Sequence, residues 1–320
     1  MRRSKKIWII VAILLVIIGS LIFTGALAAL DFDFSKLSTQ KYETNAYEIN
    51  EDFDKILINV ETTDITFLPA DNGKCKVVCF EEEKIKHSAV VQDGMLVIKT
   101  VDTRKWYAHI DISFKSMNIT VYLPKNEYAS LSINTDTGDI KMPNDFTFNS
   151  ISVESDTGDI DWEASVSDIL KIDTDTGYIN TKSISANEID VCATTGNISI
   201  DSSNFKEAVK IETDTGKIQL NDVNCKNITA KSDTGNISLK NSVAAESFSI
   251  ENDTGNVQFE YSDAASIFVK TDTGDVNGTL LSEKVFITKS STGSIDVPKT
   301  ITGGKCEITT YTGDIRIDIQ

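Results

Sequence analysis

The chain has 320 residues, 31 of them basic and 48 acidic, for a net charge of −17. That balance argues against nucleic acid as a partner, whose phosphates would be repelled, and against lying flat on an anionic membrane. The five cysteines, Cys75, Cys79, Cys192, Cys225 and Cys306, are odd in number and scattered, which gives neither a disulfide framework nor a metal-ligand spacing.

Arg2, Arg3, Lys5 and Lys6 precede an uncharged run from Ile7 to Leu30. Twenty-four residues suffice to span a bilayer with some tilt. The basic residues on one side, with Asp31 and Asp33 on the other, orient the segment with its N-terminus in the cytoplasm and the bulk of the chain extracellular. Ala26-Leu27-Ala28 also has the form of a signal cleavage site; the length of the run favours a single-pass anchor in the cell membrane. All 48 acidic but only 27 of the 31 basic residues follow Leu30, so the exposed part carries −21.

The expected organisation is a cytoplasmic tip and anchor over 1–30, a polar stalk over 31–46, an N-terminal β cap over 47–130 and β-helix repeats over 131–320. In the cap, strands are expected near Lys55–Val60, Ile65–Leu68, Lys74–Phe80, Met95–Thr100 and Asn118–Leu123, with Gln92-Asp93-Gly94 as a hairpin turn. Val60-Glu61-Thr62-Thr63-Asp64-Ile65 reads as a degenerate copy of the repeat that follows.

That repeat is a Thr-Gly followed two residues later by Ile or Val, at spacings of 19 or 20. Its glycines are Gly138, Gly158, Gly177, Gly196, Gly216, Gly235, Gly255, Gly274, Gly293 and Gly313. Apolar residues stand seven places before each glycine and five before all but Gly293, where Thr288 stands (Ile151 and Val153, Ile267 and Val269), and a small residue stands three before it (Ser155, Thr271). Period-two alternation marks a half-buried strand, and a fixed period marks a solenoid whose coils bury their apolar faces on one another. An antiparallel meander would need a second regular turn per repeat. The stretch after the second strand is irregular (Pro143-Asn144-Asp145, Asn221-Asp222-Val223), so an all-β parallel β-helix of about ten coils is expected. The C-terminal strand through Ile317-Asp318-Ile319 is expected to leave an open edge, an invitation to pairing.

Asp-Thr-Gly occurs seven times, beginning at Asp136, Asp156, Asp175, Asp214, Asp233, Asp253 and Asp272. It is also the triplet of aspartic proteases, but at solenoid spacing it reads as turn chemistry, with each Asp bonding the backbone. Calcium held where Asp136, Asp139, Asp156, Asp159 and Asp175 crowd together is the disfavoured alternative. Beyond the anchor there are two histidines, His87 and His109, and two arginines, Arg104 and Arg316. No catalytic, cofactor-binding or metal-binding residues are assigned, and no enzymatic activity is expected.

The recurrent Thr/Ser-Asp-Thr-Gly-Asp/Asn-Ile, the lead-in Val121-Tyr122-Leu123-Pro124-Lys125 and the N-terminal anchor resemble the bacterial putative-adhesin β-strand-repeat family, or toastrack domains, over residues 45–320. The resemblance implies a single-stranded right-handed β-helix on the cell envelope, often tied to envelope-stress systems, with no catalytic residues to carry over. The expected function is a membrane-anchored extracytoplasmic binding or scaffold module with an envelope or membrane protein as partner. An adhesin or surface spacer is the alternative, and a polysaccharide-acting enzyme is the least favoured.

Overall fold

The computed structural model describes residues 2–29, 31, 32, 41–104 and 116–320. Helix α1 (Arg2–Ala29) contains a 22-residue span, Trp8–Ala29, long and apolar enough to cross a membrane. From Tyr42 onward the described residues form strands and their connections, and they build a solenoid. Successive long strands pair in parallel and in register: Ile151 lies beside Leu170, Leu170 beside Ile189, Ile189 beside Val209. Like-on-like stacking follows from the period, because a residue and its counterpart 19 or 20 places on occupy the same point of adjacent coils. The inward column is continuous and closed to solvent, running from Ile56 and Ile58 through Leu170, Ile211 and Val269 to Ile308. At about 1.5–3 kcal/mol per buried aliphatic side chain, this column holds the coils together.

Each coil turns twice. The first corner is Thr-Gly. In five coils the second is regular in backbone, although its sequence is not: Ser183, Ser202, Asp222, Asn241 and Tyr261 all adopt φ between 47 and 57°. In those coils the irregularity that counted against a second turn is confined to side chains. What excludes the meander is strand direction, which is parallel throughout the repeats. A buried serine follows three of these corners, and its hydroxyl stitches two coils. Ser203 accepts from Ile184 N–H at 3.1 Å and donates to Asp201 O at 2.8 Å; Ser242 and Ser262 repeat the arrangement.

The N-terminal end changes strand direction. Strands β1 (Tyr42–Ile49), β2 (Lys55–Pro69), β3 (Cys75–Glu82), β4 (Ile85–Gln92), β5 (Met95–Asp102) and β6 (Met117–Leu123) form it. β2 is the first coil: Val60 pairs with Thr135, Thr62 with Thr137 and Ile65 with Ile140, as the degenerate repeat predicted. On its outer side β5 and β6 still run parallel to it. Beyond them β4 lies antiparallel on β5, β3 on β6 and β1 on β3. β4 and β5 are joined by Asp93-Gly94 with φ of 50 and 74°, the left-handed pair that a two-residue hairpin turn requires. β1 takes in Tyr42–Ala46 of the polar stretch expected as stalk.

The far end departs from chain order. Strand Gly304–Thr312 lies between Val257–Thr273 on one side and Lys284–Ser290 on the other. The glycines report the same sequence of coils: a Cβ on Gly313 would meet the carbonyl oxygen of Gly274, and one on Gly293 would meet that of Gly313. The coil of Gly313 is thus inserted between those of Gly274 and Gly293. The exposed edge expected at the C-terminal strand belongs instead to Lys284–Ser290, where Val285 and Ile287 face solvent.

Candidate functional site

The Thr-Gly corner is built by close approach. A Cβ on Gly177 would stand 2.0 Å from the carbonyl oxygen of Gly158, so only glycine lets the coils stack at β spacing. Most of these glycine N–H groups donate to the carbonyl of the threonine before the next coil's glycine, as Gly158 does to Thr176 at 2.9 Å, whereas Gly293 N–H donates to Ser290 Oγ. In most coils the small residue three places before the glycine is buried, and in several its side chain donates to the preceding coil's glycine carbonyl. Thr213 bonds Gly196 O, Asn252 bonds Gly235 O and Thr310 bonds Gly274 O.

The seven aspartates before Thr-Gly do not make the backbone bonds expected of them. All are exposed, and none forms a side-chain hydrogen bond or ion pair among the described residues. The residue after the glycine does that work, and it bonds the next coil. Asp159 N–H donates to Asp139 Oδ1 at 3.0 Å, Tyr178 N–H to Asp159 Oδ1 at 2.9 Å, and Asp275 N–H to Asn256 Oδ1 at 2.9 Å. The ladder breaks at Tyr178 and Lys217, which have no acceptor at that position. Asp314 sits in the ladder beneath Ser294, whose backbone N–H holds its carboxyl below the usual carboxylate range.

Two shallow grooves accompany the corners. One follows the glycines from Gly158 to Gly216, with the exposed Tyr178 among its walls. The other lies at the displaced coil and is lined by Val243, Ala264, Lys284, Gly303 and Gly304. Of the charged residues noted in the sequence, Arg104 forms a bidentate pair with Asp102; His109 lies outside the described residues. The cysteines are unpaired, Cys75, Cys79 and Cys306 are buried, and Cys306 fills the core.

The polar feature that sequence spacing missed lies in the cap. Cys79, Glu81 and His87 are all buried, and their donor atoms lie within 4.8 Å of one another. Residues 79 and 81 share the inward face of β3 because side chains alternate along a strand. His87 enters from β4, which follows β3 through a short turn and then departs to pair with β5. Glu81 Oε2 accepts from His87 N–H at 2.6 Å and lies 2.8 Å from His87 Nδ1, while Oε1 accepts from Asn45 Nδ2 at 2.6 Å. His87 Nε2 lies 3.2 Å from Thr63 Oγ1, and Tyr47 O–H donates to His87 O at 2.5 Å. Thr63 occupies the corner position that glycine fills in the later coils. No Thr-Gly corner is stacked on its outer side, where Met117 of β6 pairs with it, and its hydroxyl meets His87. Burial raises the Cys79 thiol to about 12, and the Glu81 charge adds to the effect.

These features define a capped β-solenoid with one N-terminal apolar helix. A family model described as Toastrack DUF4097 matches residues 53–280 and 203–320, and the chain belongs to that family. Among solved structures it is similar to a putative adhesin from Bacteroides fragilis, at 16% identity over 87% of this chain and 97% of that one, with a TM-score of 0.45. A putative lipid binding protein from Parabacteroides distasonis is similar at 13% identity over 87% and 98% of the two chains, with the same TM-score. Among curated proteins none matches the sequence.

Proposed function

We propose that this protein is a non-enzymatic binding or scaffold module of the bacterial cell envelope, held on the outer face of the cytoplasmic membrane by α1. The observation that carries the reading is the pairing of a 22-residue apolar helix, preceded by four basic residues, with a rod whose side chains serve stacking. The basic flank favours a cytoplasmic N-terminus, and the strongly acidic remainder suits a solvated surface facing away from anionic lipid. Family membership supports the same reading, and a role in envelope-stress sensing is its finer form.

Crosslinking on intact cells tests it. Capture of a membrane signalling protein supports the sensing role, whereas capture of wall or host material alone favours an adhesin or spacer. A rod that resists external protease on intact cells yet is cut once the membrane is opened would overturn the topology.

A further inference from the structure

We propose that Cys79, Glu81 and His87 form a binding site for a divalent transition-metal ion of zinc type in the N-terminal cap. Along the rest of β3 the inward positions are filled by Cys75 and Val77, as a core strand requires, yet the next one is a carboxylate with no solvent exposure. Buried charges in proteins are paired or hold metals. One sulfur, one imidazole nitrogen and one carboxylate oxygen make a donor set that suits zinc. A thiolate and a carboxylate together neutralise a divalent ion.

The surrounding groups match what metal ligands need. The 2.8 Å contact has Nδ1–H donating to Glu81 Oε2; loss of that tautomer to one with Nε2–H donating to Thr63 Oγ1 would free the Nδ1 lone pair for an ion, and Asn45 fixes the carboxylate from behind. Partners of this kind set the tautomer and orientation of first ligands. A tetrahedral ion spaces its donors by roughly 3.3–3.8 Å, from metal–ligand bonds of about 2.0–2.3 Å. The three donor atoms, within 4.8 Å of one another, close on that span around an ion once His87 Nδ1 and Glu81 Oε2, now 2.8 Å apart, separate by about half an ångström. Three protein donors leave a fourth position for a small ligand such as water.

The test is titration of the full-length protein in detergent with Co²⁺ after chelator treatment. One ion per chain is expected, with a thiolate-to-cobalt charge-transfer band that Zn²⁺ abolishes on displacing the cobalt. C79S should remove the band, H87Q should weaken uptake at least tenfold, and C306S should leave both unchanged. Absence of one-to-one uptake, or a band that survives C79S, would overturn the site. X-ray absorption of the zinc-loaded wild-type protein covers the case in which the variants fail to fold. One sulfur in the zinc shell supports the site, and a shell of oxygen alone refutes it.

Discussion

Lys284 Nζ lies 2.6 Å from Asp263 Oδ1 although the strand bearing Gly304 runs between the strands that carry them. Lys284 pairs directly with Gly304, which presents no side chain in the way, and Ser282 bonds both the ammonium and the carboxylate. The pair is nearly closed to solvent, with side chains 2% and 12% exposed, and it ties the outermost coil to the second coil beneath it. Removing one member of a buried pair strands the other charge. K284M should therefore cost about 3 kcal/mol, the lower end of the range for such pairs. The double variant K284M/D263N should recover most of it in chemical denaturation. Equal losses in both would show that the pair contributes through packing alone.

Glycine at the Thr-Gly corner is a steric requirement in every coil that has a predecessor. G177A drives a Cβ to 2.0 Å from Gly158 O at a φ of 153°, and overpacking with backbone strain should cost about 3 kcal/mol or more. T63G in the first coil should cost less, since it deletes a side chain and its bond to His87 rather than forcing a Cβ against a carbonyl. Thermal melting of the two variants compares them directly.

The ladder after the glycine can be completed by design. Y178N would supply the missing acceptor for Asn197 N–H and should gain roughly 0.5–1.5 kcal/mol, because Tyr178 is 58% exposed and loses little burial. N256A, which removes the acceptor for Asp275 N–H, should lose a similar amount.

D139N and D159N keep the accepting oxygen while deleting neighbouring like charges. Both should melt at the wild-type temperature or slightly above it in low salt, where repulsion of about 1 kcal/mol is relieved. A lowered midpoint restored by calcium would show instead that a cation bridges the carboxylates.

Alkaline pH should unfold the rod. Burial pushes the thiols of Cys75, Cys79, Cys225 and Cys306 from 9.0 up to about 12. The unfolded chain then sheds these protons above pH 9 while the native chain keeps them, so the unfolded state binds fewer protons and stability falls as pH rises. Stability from each thiol is complete below pH 9 and is lost on approaching pH 12. Each contributes a slope of about 1.4 kcal/mol per pH unit in that window. C225A should flatten the slope by one thiol's share in denaturant titrations at successive pH values.

The coils were legible in the sequence because stacking repeats the same environment every 19 or 20 residues, and Ile151, Leu170 and Ile189 answer to it alike. The order of the last coils was not. Phe286 with Ile295 and Cys306 with Ile315 fit the same template, and nothing local says which must sit nearer to Ile267. Thr63 was readable in principle, since a threonine where every later copy has glycine marks a first coil with no Thr-Gly corner stacked on its outer side. The cap cluster was hidden because Cys79 and Glu81 meet His87 only where β3 and β4 part company.

Emerging N-terminus first, the chain can lay each turn upon its predecessor as far as Leu280. Lys284–Ser290 cannot reach its final seat in the same manner, since the strand it must rest on, Gly304–Thr312, comes later in the polypeptide. That segment must either wait unsupported or occupy the face of Val257–Thr273 and then be pushed outward. The tip of the rod therefore closes out of chain order, with Lys284–Ser290 seated only once Gly304–Thr312 is in place.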